Sequence, residues 1–342
     1  IGRHSFELCS RPRIISSASY VGDKEGKGPL RECFDKICRD DTLGLDSWEQ
    51  AESRMFESAV RVALAKIKRQ SDDLSCLLGG DLLNQIISSG FAAREIRAPF
   101  IGLYGACSTI SEGLMLGGML VDGGFAELAA CAASSHFSAA ERQFRYPLEM
   151  GVQAVPSSQR TVTGAGSIII QAAGEFRPGA GNVFEHVALT GGTIGSVEDF
   201  GITDANNMGA AMAPAAFKTI KTHLSDYSRR AEDYDRIITG DLGIFGSDML
   251  YELLRGEGIE IADRHEDCGK LMFGPEQNVN CGASGCGCAA TIMSSWFLPK
   301  IESGEIRRVL FLATGALMSP VSSLQGESIP SIAHAVVIEH ID

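Results

Sequence analysis

The order of apolar and polar residues predicts helices and strands in alternation over the first third of the chain. Ser47 and Gln50 have the spacing of a capping box, and apolar residues then recur every three or four positions up to Ile67, as on one helix face. Apolar runs at residues 74–78, 99–103 and 128–133 predict strands, with helices between them at 85–95 and 108–121. Strands that alternate with helices indicate an α/β fold.

The same order of segments occurs a second time in the chain. LGGDL at residues 78–82 resembles ITGDL at 238–242, and GACST at 105–109 resembles GASGCGC at 282–288. Each copy continues through a small-residue helix and a glycine into an apolar strand, at 128–133 and at 309–313. We therefore predict two βαβ-like halves, residues 1–175 and 176–342, divided in the glycine-containing loop at 174–181. The N-termini of the two small-residue helices should face one shared site.

The helix predicted at 108–121 contains three glycines on or near one face: Gly113, Gly117 and Gly118. Glycine costs about 1 kcal/mol relative to alanine inside a helix, so a close packing contact must offset the cost. The second copy offers a similar surface of small residues at 285–290. We expect the two helices to pack backbone against backbone in a central layer between two sheets.

Composition limits the kinds of partner. The 342 residues carry a net charge of −13, which argues against nucleic acid because phosphate binding needs clustered Lys and Arg. Ten cysteines without the spacing of a disulfide framework indicate free thiols in a reducing compartment. No secretory signal is recognised, and the longest apolar runs are shorter than the roughly 20 residues of a spanning helix. Membrane association is expected to be peripheral or through partners.

The segment around Cys107 is where chemistry is expected. A thiol at a helix N-terminus feels the positive end of the helix dipole, which favours the thiolate, and the nearby backbone N–H groups can bind an anion. The alternative is a buried structural cysteine in a tight turn of small residues at 105–109, called the corner below. The spacing leaves both interpretations open, and packing symmetry alone would also duplicate the corner.

The other cysteines do not predict a metal site. Cys268, Cys281, Cys286 and Cys288 lie in the second half, but their gaps are not the paired spacing typical of zinc sites. No loop has the density of oxygen ligands that calcium requires. We therefore predict neither a metal site nor a cofactor.

Seven runs carry a resemblance to known proteins: GDLLNQ at 80–85, GACST at 105–109, ERQFRYP at 141–147, GITD at 201–204, AMAPAA at 211–216, TGDL at 239–242 and ESIP at 327–330. The cysteine corner resembles the thiolase and condensing-enzyme superfamily. The longer runs resemble one family within it, stage V sporulation protein AD of spore-forming bacteria, over about residues 22–339.

This resemblance implies a thiolase-like, five-layered αβαβα fold of two pseudo-duplicated halves. It also implies binding of dipicolinic acid (pyridine-2,6-dicarboxylate), free or as its calcium chelate, for uptake into the developing spore. The expected partners are other membrane proteins of the same sporulation operon. We expect a homodimer located peripherally at the forespore or spore inner membrane.

The chain departs from the resembling enzymes where their catalytic bases lie. Condensing enzymes place a histidine after the strand that here ends in TGD at 239–241, and thiolases carry Gly-His-Pro where this chain has GCG at 285–287. Without a base, an assistance of about 10²–10⁴-fold is lost. We predict a non-catalytic binding protein. An active acyltransferase using a Cys107 thioester and a scaffold without a pocket are the alternatives.

Arginines are the first candidates for binding a dicarboxylate, because guanidinium groups bind carboxylates bidentately and stack on rings. We assign this role to Arg142 and Arg145, beside Tyr146; alternatively, the two arginines tie a dimer-interface loop by pairing with Glu141 or Glu149. The other predicted ligand-site residues are Cys107 and Ser108 at the corner, Cys286, Ser135 and His136, and the acidic or amide residues Asp81, Asn84, Asp204 and Asp241. The last four would orient the arginines or meet calcium. For His136 and His334, structural roles are the default.

Overall fold

The computed structural model describes residues 1–144 and 155–342. In chain order its strands are β1 (Ser5–Glu7), β2 (Arg13–Val21), β3 (Lys36–Ile37), β4 (Cys76–Gly80), β5 (Phe100–Gly102), β6 (Leu128–Ser135), β7 (Arg160–Thr161), β8 (Gly164–Gln171), β9 (Val187–Thr193), β10 (Arg236–Thr239), β11 (His265–Asp267), β12 (Ala283–Ser284), β13 (Arg308–Ala316) and β14 (Ser331–His340).

The helices are α1 (Trp48–Lys66), α2 (Ile87–Ile96), α3 (Thr109–Asp122), α4 (Phe137–Phe144), α5 (Met208–Asp226), α6 (Gly243–Arg255), α7 (Cys268–Leu271), α8 (Cys286–Ile292), α9 (Leu298–Glu302) and α10 (Pro320–Leu324). A π-helical turn, Met293–Phe297, joins α8 to α9. The described residues also include short 3₁₀ turns, among them Ala106–Ser108 before α3.

Two sets of five strands share one connectivity. Their orders are β2-β8-β6-β4-β5 and β9-β14-β13-β10-β11. In each set the first two pairings are antiparallel and the last two are parallel. Arg13 of β2 pairs with Ala188 of β9, so the sets form one continuous sheet. The predicted duplication is confirmed. The domain boundary placed near residue 175 lies between β8 and β9 and stays a prediction.

Three hydrophobic clusters arrange helices and strands in five layers. One cluster, which includes Phe56 and Leu77, joins α1 and α2 to the first set of strands. Another, which includes Met212 and Leu310, joins α5 and α6 to the second set. The third contains Ile110 and other residues of α3 and α8 and lies between the two sets. The αβαβα prediction is confirmed, and its middle layer brings the starts of α3 and α8 together.

The first helix follows its prediction, whereas two neighbouring segments differ. The Ser47 side chain accepts from the Gln50 N–H, as the capping-box pattern predicts. The next helix begins at Ile87, later than predicted, because Gln85 and Ile86 have φ values of +60° and +46°. β5 is the last strand of its set, and Ile101 within it is 42% exposed, so the apolar run did not indicate a fully buried strand.

The glycines of α3 contact side chains of the sheet rather than the backbone of another helix. A Cβ added to Gly117 would lie 2.8 Å from Cys131 Sγ. The close backbone approach of the middle layer is instead between α8 and β8. There, a Cβ on Gly166 would lie 2.3 Å from the Ala290 carbonyl, and one on Gly287 would lie 2.4 Å from the Gly164 oxygen. The expected backbone packing of the α3 glycines against α8 is therefore wrong. The spacing of small residues shows which face of a helix they share, but not which neighbouring element packs there.

Replacing Gly117 with leucine should destabilise the fold. The new side chain would overlap Cys131 Sγ and Ile170 Cδ1, which lie 2.8 and 3.2 Å from the position of its Cβ. Overpacking a tight core costs about 1–3 kcal/mol or more. Thermal unfolding measures the loss. Gly90→Ala in α2 is the control, because a Cβ there meets nothing within 4 Å, and its melting temperature should equal or exceed that of the wild type. An unchanged melting temperature in Gly117→Leu would contradict this packing.

In the described part of the chain, no helix combines the length and the apolar character needed to cross a membrane.

Candidate functional site

A cavity lies where the corner before α3 meets α4, β7, β12 and α5. Its wall is formed by Leu82, Ala106, Cys107, Ala140, Glu141, Phe144, Gln159, Thr161, Met208, Met212, Ser284, Ala316 and Met318. Its volume is about 100 Å³ and it is partly open to solvent, which leaves room for several water molecules or a small ligand. Because both halves of the chain contribute to the wall, the prediction of one shared site agrees with this geometry.

Cys107 reaches the wall from a tight turn that leads directly into α3. Ala106 has a φ of +50°, a conformation that non-glycine residues rarely adopt. The hydroxyl of Ser108 donates to the Gly105 carbonyl at 2.7 Å, which fixes the turn locally. Gly315 of β13 closes over it, since a Cβ there would lie 2.1 Å from the Gly105 oxygen. The turn is therefore held between the two halves.

The partner of the Cys107 thiol is a carboxyl group. Asp241, which follows β10, lies within reach of this thiol and interacts with it. Burial raises the pKa of Cys107 well above its usual value, and the negative charge of Asp241 raises this pKa further. Because its pKa lies well above the usual value, the thiol is protonated near neutral pH. The interpretation of Cys107 as a buried thiol is favoured over that of a stabilised thiolate.

Asp241 lies fully buried directly behind the cavity wall. Its Oδ2 accepts from the Gly285 N–H at 2.8 Å and from the Ser284 hydroxyl at 3.0 Å, and its Oδ1 accepts from the Thr314 hydroxyl at 3.1 Å. Burial raises the pKa of Asp241 to about 7, although these hydrogen bonds favour the ionised form. Asp241 thus binds the Ser284 hydroxyl of the wall and interacts with the Cys107 thiol.

Cys286 and Asp81 lie behind the same corner. Cys286 Sγ donates to the Ala106 carbonyl at 2.9 Å, and burial, followed by the charge of Asp81, raises the pKa of its thiol well above the usual value. Asp81 accepts from the N–H groups of Leu83 and Ser89, each at 2.8 Å. Asp81 therefore fixes the turn before α2, and neither residue is part of the cavity wall.

Of the two predicted arginines, Arg142 lies in the described part of the chain and does not line the cavity. Arg142 forms an ion pair with Glu49 and lies 5.3 Å from the centroid of the Trp48 ring. Residues 140, 141 and 144 of α4 line the cavity, and helical geometry turns residue 142 away from them. Arg145 and Tyr146 lie outside the described residues.

Four further predicted site residues do not line the cavity: Asn84, Ser135, His136 and Asp204. Ser135 donates to a backbone carbonyl of the segment before β8 at 2.7 Å, and His136 Nε2 lies 2.8 Å from a backbone carbonyl of the loop at 39–45. Asp204 is exposed, and the Asn84 N–H is bonded to α4. These contacts are structural, and a role of these residues in ligand binding stays a prediction.

His265 and His334 are hydrogen-bonded to groups other than Cys107. His265 lies 2.8 Å from both the Thr239 and the Tyr251 hydroxyls, and burial lowers its pKa to about 3. His334 accepts from the Gly195 N–H, and burial lowers its pKa to about 4. Among the described residues, no imidazole is hydrogen-bonded to Cys107. The same residues contain no group of three or more His, Cys, Asp or Glu side chains placed to hold a metal ion.

Sequence reasoning missed Gln159, Thr161 and Ser284 as wall residues. Gln159 Nε2 donates to the carbonyls of Asp241 and Ala283 at 2.7 and 2.8 Å, while its buried Oε1 has no partner in the described chain. Ser284 adjoins the second copy of the corner, so the repeat itself could have indicated it. Gln159 and Thr161 gave no comparable signal, because their run reads as a loop.

Arg160 was also missed. Its guanidinium lies 3.6 Å from the centroid of the Phe137 ring, and its Nε is buried without a partner in the described residues. Burial lowers its pKa, while Glu25 and Glu141 act in the opposite direction. Arg160 adjoins Thr161 in β7 but does not line the cavity itself.

Comparison with known proteins decides the family. Residues 2–339 match the family model of stage V sporulation protein AD. The stage V sporulation protein AD of Bacillus subtilis (strain 168) is 44% identical over 326 residues, which cover 95% of this chain and 94% of that protein. The chain belongs to the stage V sporulation protein AD family.

Solved structures show the fold of this stage V sporulation protein AD family member. Human mitochondrial 3-ketoacyl-CoA thiolase matches with a TM-score of 0.60 and 10% identity, covering 99% of this chain and 100% of that one. A single-residue variant of OleA from Xanthomonas campestris matches with a TM-score of 0.59 and 12% identity over 99% and 100% of the two chains. For 3-oxoacyl-[acyl-carrier-protein] synthase III of Aquifex aeolicus the TM-score is 0.55 at 11% identity, over 96% and 100%. At these identities the likeness shows the thiolase-like fold alone.

Proposed function

We propose that this protein binds dipicolinic acid in the cavity at Cys107 and does not catalyse acyl transfer, as a component of dipicolinate uptake into the developing spore. One observation carries the proposal. The thiol at the thiolase-like corner is buried on the wall of a small cavity, beside the carboxyl group of Asp241, whose negative charge raises the pKa of the thiol. Membership of a sporulation family supports the biological setting.

The carboxyl partner argues against a nucleophilic thiol. A cationic partner such as imidazolium stabilises a thiolate, whereas an ionised carboxylate beside it repels the second negative charge. Burial raises the pKa of Cys107 in the same direction. Cys107 therefore serves as an uncharged part of the wall.

The cavity also suits the shape of the ligand. Dipicolinate has a flat ring, and the apolar side chains of Leu82, Phe144 and Met212 offer surface for it. The hydroxyl of Thr161 lies on the same wall, and the backbone N–H groups at the corner before α3 are further donors for a carboxylate. A planar molecule could thus lie with its ring on the apolar side and a carboxylate toward the corner.

The proposal extends to the assembly. We expect a homodimer that is peripheral at the forespore or spore inner membrane and works with other membrane proteins of the same operon. The calcium chelate of dipicolinate is the alternative form of the ligand. The family membership and the thiolase-like fold support this setting.

The acyltransferase alternative has one observation in its favour. A carboxyl group whose pKa is about 7 touches the thiol, and a pKa near the working pH suits a general base. The proton transfer would nevertheless run from a thiol of much higher pKa to a weaker base, which makes it unfavourable. Incubation with acyl-coenzyme A donors should accordingly leave no acyl group on Cys107.

Titration calorimetry with dipicolinate tests the proposal. The purified protein should bind one dipicolinate per chain at neutral pH, in the presence and in the absence of calcium. Picolinate, which lacks one carboxylate, should bind more weakly. Absence of a binding signal at millimolar dipicolinate, together with multiple turnovers through a Cys107 thioester, would replace the proposal by the acyltransferase alternative.

A further inference from the structure

The side chains of the cavity wall present acceptors more than donors. The amide hydrogens of Gln159 are both used on backbone carbonyls, and its unpaired Oε1, on a side chain that is 5% exposed, is an acceptor. The hydroxyl of Ser284 donates backwards to Asp241, so only its lone pairs face the cavity.

A dicarboxylate, like the side chains of this wall, presents hydrogen-bond acceptors. Ionised carboxylates only accept hydrogen bonds, so the lone pairs of Ser284 and Gln159 would repel them. Leaving polar groups unpaired in a buried site is costly. With Asp241 ionised, its negative charge lies directly behind the wall and adds to this repulsion. Thr161 and the backbone N–H groups at the corner can donate to a carboxylate, but the side chains of Ser284 and Gln159 become complementary to the ligand only if a donor hydrogen is supplied.

One proton on Asp241 supplies that hydrogen. Oδ2 of Asp241 is 3.0 Å from Ser284 Oγ, so a proton on Oδ2 can donate to Oγ along the same line. The Ser284 hydroxyl hydrogen is then released from Asp241 and can turn into the cavity. Oδ2 can still accept from the Gly285 N–H at 2.8 Å. The exchange takes one proton from solvent, reverses one hydrogen bond and breaks no covalent bond.

The surroundings of Asp241 favour this uptake. The titratable groups that act on it from the elements packed around it are Asp267 at the end of β11, Cys107 before α3, Cys268 in α7, and Cys286 and Cys288 in α8. They carry no positive charge. Burial, which is the largest effect, and the negative charge of Asp267 raise the pKa of Asp241, whereas the Gly285 N–H and the Cys107 thiol lower it. Burial raises the pKa of Asp241 to about 7, which makes it titratable near neutral pH.

We infer that Asp241 is a positioning residue that takes up a proton when the cavity binds a carboxylate ligand, and thereby turns the Ser284 hydroxyl toward that ligand. The inference rests on the proposed function and specifies the ligand class of the site: an anion that is bound together with one proton. Asp241 itself does not touch the ligand.

The pH dependence of affinity follows from this linkage. Below the pKa of free Asp241 the proton is already present, so dipicolinate affinity should be constant between about pH 5.5 and 6.5, where the ligand itself is ionised. Above the pKa the proton must be taken up, and affinity should fall by up to about tenfold per pH unit. Calorimetry at pH 8 in buffers of different ionisation enthalpy should show uptake of nearly one proton per ligand.

Variants separate this role from a structural one. Asp241→Asn should abolish both the proton uptake and the pH slope, and Ser284→Ala should weaken binding at pH 6, where its hydroxyl would otherwise donate. Glu25→Gln is the matched control, because burial also raises the pKa of Glu25 to about 7 but this residue lies away from the wall. That variant should keep the wild-type slope.

The outcomes are distinguishable. No binding of dipicolinate by the wild type at any pH overturns the proposed function and, with it, this inference. Binding that is independent of pH from 6 to 8, without proton uptake, overturns the inference alone. The same holds if Asp241→Asn retains the wild-type slope. Should Asp241→Asn fail to fold, the proton count of the wild type and the effect of Ser284→Ala at pH 6 still decide.

Discussion

Replacing Ala316 with tryptophan should abolish dipicolinate binding. Ala316 ends β13 and lies on the cavity wall, where it is only partly buried, so an indole there can enter the cavity without first displacing the core. Forcing a ligand and the indole into the same space costs at least the roughly 1–3 kcal/mol of overpacking, so the loss should reach about a hundredfold or more. Calorimetric titration measures it.

Two control variants accompany this experiment. Ala262→Trp places the same side chain at an exposed position before β11, away from the wall, and should bind like the wild type. Arg142→Ala should also bind like the wild type, because Arg142 is paired with Glu49 and faces away from the cavity. Full affinity in Ala316→Trp, or a large loss in Arg142→Ala, would move the ligand site from this cavity to the outer face of α4.

Cys107 should react with iodoacetamide at least about a hundredfold more slowly than Cys9 at pH 8. Only the thiolate attacks, and each unit by which a pKa lies above the pH lowers its fraction about tenfold. Burial and Asp241 raise the pKa of Cys107 well above its usual value, whereas Cys9 is exposed and serves as the control within the same chain.

Peptide mapping by mass spectrometry gives both rates from one sample. The rate at Cys107 should still be increasing with pH above pH 8, because the pKa of its thiol lies well above the usual value. Labelling of Cys107 as fast as that of Cys9 at pH 8 would indicate a stabilised thiolate. The acyltransferase alternative would then gain the reactive nucleophile that it requires.

Much of the fold could be predicted from the sequence because its signals are local and occur twice. The capping box at Ser47 and the apolar spacing after it specify α1, and the repeated corner specifies how two equivalent halves meet. The contacts of the α3 glycines could not be predicted in this way. Gly117 faces Cys131 of the sheet, and the close backbone contact belongs to Gly166 and α8 instead. Spacing along one helix does not reveal which neighbour approaches it.

The sequence allowed Cys107 and Asp241 of the candidate site to be predicted, but not Gln159 or the direction of Arg142. Cys107 follows β5 of the first half and Asp241 follows β10 of the second, and they come together where the two halves meet in the middle layer. The arginine hypothesis relied on residue type, whereas the direction in which Arg142 points depends on how α4 lies against the cavity. Gln159 comes near the corner through a pairing between β7 and β12, far apart in sequence, and no local pattern announces that pairing.

A crystal structure of the protein grown with dipicolinate tests the central claim most directly. We predict density for one planar ligand in the cavity between the corner before α3 and α4, with an unmodified Cys107 thiol beside Asp241. Density for the ligand elsewhere with this cavity empty, or an acyl group joined to Cys107 Sγ after exposure to acyl-coenzyme A, would contradict the account.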